Sequence, residues 1–180
     1  MKIKFNCDWI KTEITYDITE INKYRSLLYK KKLIGFNNIG YGNISIRTEN
    51  GFLISGSTTG KFPILTIEHY TEVIELDFEK NYIICRGPIK ASSESLSHAA
   101  LYTNPKVNAV IHIHNLELWN KLIDKVPTTS ENSEYGTPEL AYEIMKLKSE
   151  NIIAMGGHKE GILTFGNKFK DAYEALGILL

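Results

Sequence analysis

His112-Ile113-His114 closes an apolar run, Ala109-Val110-Ile111, that reads as a buried strand. Side chains alternate along a strand, so both imidazoles fall on one face, about 7 Å apart at their α-carbons and convergent enough to share a metal ion. By itself such a pair is more often two strand-end rings bonded to backbone or water. Three other features supply what a metal enzyme needs: a carboxylate in Ser92-Ser93-Glu94, another of the five histidines in Gly156-Gly157-His158, and the polar, glycine-bearing segment Ser55-Gly56-Ser57-Thr58-Thr59-Gly60-Lys61.

The elements that must position these residues belong to a chain of 180 residues with 43% hydrophobic content, which suits one domain spanning residues 1–180 with a substantial core. Twenty-one basic residues balance twenty-one acidic ones. That balance supplies no general attraction to nucleic acid or to an anionic membrane, so any anion has to be bound locally. Cys7 and Cys85, far apart in sequence, form neither a cysteine metal motif nor a disulfide scaffold, which points to a reducing, cytoplasmic setting. The first residues lack the apolar run of a signal peptide, and no segment is long enough to span a bilayer.

Asp17 or Thr19 can cap a helix running to about Leu33, with Ile21, Tyr24, Leu27 and Leu28 as its apolar stripe and Lys30, Lys31 and Lys32 favouring its C-terminal end. Gly35 and Asn37-Asn38 end it. Ile39 to Arg47 alternates as a strand, and Glu49-Asn50-Gly51 turns it into Phe52 to Ser55. Val73 to Phe78 and Tyr82 to Cys85 make another hairpin. Ser92 or Ser93 begins a helix carrying Glu94 and His98 to about Tyr102, which Asn104-Pro105 stops before the strand Val107 to His112.

A short helix around Leu116 to Leu122 is followed by a polar surface loop, Pro127 to Glu134. Thr137-Pro138 opens a helix to about Lys148. Two short strands, Ile152 to Met155 and Ile162 to Phe165, flank a glycine-rich turn, and Phe169 to Leu179 is a final amphipathic helix. This pattern predicts a layered α/β fold with a mixed, largely antiparallel sheet flanked by helices, and not a doubly wound one.

The order of Gly42-Asn43-Ile44-Ser45, Thr59-Gly60, Ser92-Ser93-Glu94 with His98, His112-Ile113-His114, Tyr135-Gly136-Thr137 and Gly161-Ile162-Leu163-Thr164-Phe165-Gly166 resembles the class II aldolase and adducin family. Its enzymes include fuculose-1-phosphate aldolase and ribulose-5-phosphate 4-epimerase. The resemblance runs from about Asn37 to Leu180 and implies a three-layer fold. It also implies a zinc ion held by three histidines, with an acidic residue beside it as ligand or acid/base.

On that resemblance His112 and His114 are the first two ligands and Glu94 is the acid. The family's third ligand directly precedes the glycine of the last strand, where this chain has Glu160, with His158 two residues earlier. Lys159-Glu160 reads as a small insertion that leaves His158 as the ligand, Glu160 as an oxygen ligand being the alternative. The matching residues for a phosphate are Gly42, Asn43, Thr59, Gly60, Ser92 and Ser93, although Ser55–Lys61 is one residue longer than the corresponding loop of the sugar-phosphate aldolases. Lys61 is either a phosphate partner or solvated. His98, four residues after Glu94, lies on the same helix face as a partner for the carboxylate or a ligand histidine, or as a packed residue. Tyr135 is either structural or a proton-transfer group.

The chemistry implied is zinc stabilising an enediolate during aldol cleavage of a small phosphorylated ketose or hydroxy-carbonyl compound. Epimerase or dehydratase chemistry at the same metal and a non-catalytic, adducin-like assembly role are the alternatives. The resemblance also implies a homo-oligomer, a tetramer, in which a neighbouring subunit covers a site that the short C-terminal helix leaves open.

Overall fold

The structure is a computed structural model that describes residues 5–35, 40–147 and 151–177. In chain order its elements are β1 (Asn6–Lys11), α1 (Thr19–Lys30), β2 (Asn43–Arg47), β3 (Phe52–Ser55), β4 (Tyr70–Asp77), β5 (Tyr82–Gly87), α2 (Ser95–Tyr102), β6 (Ala109–His114), α3 (Leu116–Leu122), α4 (Pro138–Lys146), β7 (Ile152–Ala154), β8 (Gly161–Gly166) and α5 (Phe169–Gly177). The strands form one sheet in the order β1-β5-β4-β3-β2-β6-β8-β7. Among the described strands β1 and β5 pair in parallel and the other neighbouring pairs are antiparallel.

Alternation along β6 shows how the layers arise. Ala109, Ile111 and Ile113 point to one face, where they pack with Leu28 of α1, Leu118 of α3 and Phe169 of α5. Val110 points to the other, against Leu96 and Ala100 of α2 and Leu140 and Ile144 of α4. Each fully buried Leu or Ile stabilises the fold by about 1.5–3 kcal/mol, so both faces must be covered, and the result is the expected three-layer α/β arrangement. His112 and His114 share the parity of Val110 and therefore stand on the α2/α4 face, at the strand's end. Among the described residues no helix is long and apolar enough to cross a membrane.

Several boundaries differ from the sequence reading. The N-terminal segment forms β1, an edge strand whose exposed and half-buried residues alternate, because only one of its faces meets the core. Its pairing with β5 brings the Cys7 and Cys85 sulfurs to 3.5 Å, although 78 residues separate them. α1 stops at Lys30, not Leu33: Lys32 enters the left-handed region at φ 59°, and the Leu33 amide turns back to the Leu28 carbonyl at 3.0 Å. Asp17 contributes by accepting the Thr19 amide at 2.9 Å.

α2 begins at Ser95, two or three residues later than expected, because Ser92 and Ser93 form the turn that precedes it. The loop after α3 is not a free surface loop. The Thr129 amide donates to the Ala154 carbonyl and the Ala154 amide to the Pro127 carbonyl, each at 3.0 Å, which protects the open edge of β7. Thr137 does cap α4, accepting the Leu140 amide, with Pro138 in the first turn. The breaks at Asn37-Asn38, the start of the β2 strand at Ile39, the helix end at Lys148 and the last residues, Leu179 and Leu180, lie outside the described residues.

Candidate functional site

β6 delivers two of the rings and the turn between β7 and β8 delivers the third. His114 pairs across the ladder with Gly161, and a Cβ at Gly161 would come within 2.5 Å of the His158 ring. The absence of a side chain there is what lets His158 lie over the strand end. Gly156 and Gly157 act behind it: a Cβ on either would strike the Thr129 or Ser133 carbonyl oxygen at 2.1 or 2.2 Å. The glycine-rich turn is thus pressed against the loop that follows α3, and that backing fixes where His158 points.

The three histidines each offer one ring nitrogen, and these atoms lie within 4.8 Å of one another. The Nε2 atoms of His158 and His114 are 3.0 Å apart. Both nitrogens of the buried His112 ring have no hydrogen-bond partner among the described residues. Buried polar atoms without partners are expensive, and a convergent set of ring nitrogens is what a divalent ion requires. Burial, then the neighbouring His114, His158 and His98, hold His112 well below the usual imidazole range, and burial lowers His114 to about 4. At neutral pH these two rings are uncharged and present lone pairs. The cluster can therefore hold a divalent metal ion.

Glu94 is the N-terminal cap residue of α2 and is 1% exposed. Its Oε1 lies 3.8 Å from His158 Nε2, while Oε2 accepts the Ser97 hydroxyl at 2.9 Å. The carboxylate is thereby oriented along the edge of the histidine cluster. Glu160 does not join the cluster: it sits at φ 73°, beyond His158, and its carbonyl accepts the Asn115 amide. Aromatic rings close on two of the imidazoles, Tyr41 stacked on His114 at 4.8 Å and Tyr135 tilted on His158 at 4.7 Å.

His98 is fully buried, and its Nδ1 lies 2.6 Å from the Ser45 hydroxyl, which is in turn 2.8 Å from the Tyr102 hydroxyl. It makes no hydrogen bond to the Glu94 carboxylate or to a ring of the cluster, although its backbone amide donates to the Glu94 carbonyl. Burial alone lowers it to about 3, so it is a neutral packed residue behind the site.

The residues expected to cradle an anion fall into two groups. Asn43, opposite His112 in the β2–β6 ladder, donates from Nδ2 to the Ser92 hydroxyl oxygen at 3.0 Å, and the same oxygen receives the Glu94 amide at 3.3 Å. Asn43 Oδ1 and Ser93 Oγ are buried without partners among the described residues. Gly42, at φ 80°, lets the chain pass the Ile34 side chain and the His112 carbonyl.

Thr59 and Gly60 are different, because the Thr59 hydroxyl donates to the Gly56 carbonyl at 2.8 Å and the Gly60 α-carbon is pressed against the Gly40 and Tyr41 carbonyls. Lys61 is exposed and rests over the Phe62 ring. The residue that the sequence reading missed is Arg25. It is 1% exposed and donates to the carbonyls of Gly60 at 2.6 Å, Pro63 at 3.1 Å and Thr59 at 3.3 Å. Its signal was its place in the apolar stripe of α1, four residues after Ile21 and three before Leu28.

Comparison with known proteins bears on the family and the fold. The profile described as "Class II Aldolase and Adducin N-terminal domain" matches residues 24–179. The L-fuculose-1-phosphate aldolase structure from Thermus thermophilus is 23% identical, with a TM-score of 0.66 over 88% of this chain and 86% of that one. The N-terminal class II aldolase domain of a conserved protein from Thermoplasma acidophilum is 21% identical, with a TM-score of 0.63 over 97% and 93%. L-fuculose 1-phosphate aldolase from Glaciozyma antarctica is 16% identical, with a TM-score of 0.61 over 93% and 74%. No match was found among curated proteins. Identities this low speak for a shared fold, while the profile covers most of the chain, and on that ground the chain belongs to the class II aldolase/adducin family.

Proposed function

We propose that residues 1–180 act as one aldolase-type domain, a zinc-dependent lyase that cleaves a small phosphorylated ketose or hydroxy-carbonyl compound. The observation that carries this reading is the convergence of three imidazoles, among them a His112 whose ring nitrogens have no partner among the described residues, beside the buried Glu94 carboxylate. Nitrogen donors with one position left for a substrate suit catalytic zinc, and the residues present fit it. His112, His114 and His158 would hold the ion, with His158 and not Glu160 as the third ligand. When bound, zinc supplies a Lewis acid that favours negative charge on adjacent hydroxyl and carbonyl oxygens.

The chain's own residues do the rest. Glu94 Oε1 exchanges a proton with the reacting carbon, and the Ser97 hydroxyl on Oε2 holds that carboxylate in one orientation. Gly42, Asn43, Ser92 and Ser93 receive the phosphate, with Asn43 Nδ2 and the Ser93 hydroxyl as donors, the latter without a partner among the described residues, while Thr59 and Gly60, whose hydroxyl and carbonyls are committed to Gly56 and Arg25, shape the loop behind them. Tyr41 and Tyr135 exclude water from the histidine rings, which strengthens each polar contact inside. We infer a homotetramer in which a neighbouring subunit completes that cover; a particle of 20.5 kDa by light scattering would exclude it.

Zinc-loaded protein incubated with a panel of phosphorylated ketoses should release an aldehyde that hydrazine reagents trap. Glu94→Gln should slow release by about 10²–10⁴-fold, the usual contribution of a positioned acid/base. Equal rates in the two proteins would remove Glu94 from the reaction. Absence of turnover across the panel would overturn the lyase assignment.

A further inference from the structure

A cavity of about 690 Å³ opens on the outer side of His114, with Lys31, Lys32, Tyr41, Glu117 and Glu160 among its lining residues. Both of its walls are fastened to the end of β6. The His114 amide donates to the Leu33 carbonyl at 3.2 Å, which ties the lysine-bearing turn after α1 to the histidine, and the Asn115 amide donates to the Glu160 carbonyl at 2.9 Å. The Gly35 amide donates to the Tyr41 carbonyl at 3.0 Å, which joins the floor to the ring that stacks on His114. The cavity is therefore positioned by the same backbone that positions the metal centre.

Its charges are unevenly committed. Glu117 is paired with Lys121 at 2.7 Å, so its charge is largely offset. Lys31 and Lys32 make no ion pair among the described residues, and together they outnumber the remaining acid, Glu160. A lysine at the end of a helix normally does no more than complement the helix dipole. Here the left-handed turn at Lys32 (φ 59°) ends α1 so that both lysines line a cavity beside the site.

We propose that this cavity is a second anion subsite that seats a carboxylate of the substrate between Lys31 and Lys32. The proposal rests on the reading of the histidine cluster as a catalytic metal centre and narrows its substrate class to acidic hydroxy-carbonyl compounds. Ammonium groups act as flexible point charges without a fixed fork, so they select for the charge of this group more than for its shape.

Two probes test it on the zinc-loaded protein by calorimetry. Glycolate offers a hydroxyl and one carboxylate to the centre; tartronate offers the same pair and a second carboxylate. Tartronate should bind at least about tenfold more tightly than glycolate, and the double variant Lys31→Gln, Lys32→Gln should lose that preference while keeping its zinc and its glycolate affinity. Glycolate binding with no tartronate preference would overturn the subsite, and so would a preference that survives in the double variant. Failure of both probes to bind would instead overturn the catalytic reading of the centre, and the subsite with it.

Discussion

The histidine cluster and the Thr59 loop are both polar, both buried and both assigned to ligand binding on sequence, yet their polar atoms are in opposite states. At the cluster, the two His112 nitrogens have no partner among the described residues, and three rings converge from β6 and the β7–β8 turn. At the loop, the Thr59 hydroxyl and the Thr59 and Gly60 carbonyls are already satisfied within the protein, by Gly56 and by Arg25. Convergent rings that leave the His112 nitrogens without a partner among the described residues are organised for something that arrives later, whereas a satisfied set is organised for folding. Asn43 and Ser92 stand between the two cases, bonded to each other but with Asn43 Oδ1 still open.

Acid should separate the regions most strongly. His98, His112 and His114 are all held below the ordinary imidazole value of 6.5 by burial, His98 to about 3 and His114 to about 4. Between those values and 6.5 the unfolded chain binds protons that the folded chain refuses, so stability without metal falls as pH falls, at up to about 1.4 kcal/mol per pH unit for each ring. The metal-free protein should hold a constant urea midpoint above pH 7 and lose it steeply between pH 6 and about 4, with a shallower slope in His98→Gln. Equal midpoints at pH 7 and pH 5 would show that the rings are not buried as described.

Next in size is the metal. His112→Ala and His114→Ala should each weaken zinc binding on the order of a hundredfold or more, since loss of even an outer partner of a ligand costs 10–100-fold. Metal content after dialysis against a weak chelator reads this directly, and unchanged content would detach the cluster from any metal. Arg25→Met should act in the reverse sense, with full zinc content but about 2–3 kcal/mol less stability by urea unfolding, because the buried Thr59 and Gly60 carbonyls and the partly buried Pro63 carbonyl lose a charged donor. If Arg25→Met lost metal instead, the loop and the centre would be one cooperative unit.

The smallest effect belongs to the intermediate case. Asn43→Ala should weaken inorganic phosphate binding by about tenfold at constant zinc content, whereas Thr59→Ala should lower stability by about 1 kcal/mol through the lost bond to Gly56. A larger phosphate defect in Thr59→Ala than in Asn43→Ala would reverse that ranking.

What could be read from one dimension follows from periodicity and from local chemistry. The alternation of Ala109 to His114 was sufficient to put both rings on one face, and Thr137-Pro138 to start α4, because those effects act over a few residues. The antiparallel hairpins and the layered fold were legible for the same reason. Contacts between distant segments were not. Arg25 meets the Thr59 and Gly60 carbonyls only because 34 and 35 residues of chain return them to it.

The same limit applies to what the fold added. β1 became a strand only because β5 offered a parallel edge, and Cys7 met Cys85 across it. His158 outranked Glu160 in the cluster because Gly161, Gly156 and Gly157 let the turn pack against the strand end and the 129–133 loop, which no spacing rule encodes. Lys31 and Lys32 carried a dipole explanation in the sequence and line a cavity in the fold, since a hydrogen bond from His114 to Leu33 fastens them there. Residue type and spacing determined which groups are capable of chemistry; the tertiary structure decided which of them remain unsatisfied and face one another, because satisfaction depends on partners that arrive from elsewhere in the chain.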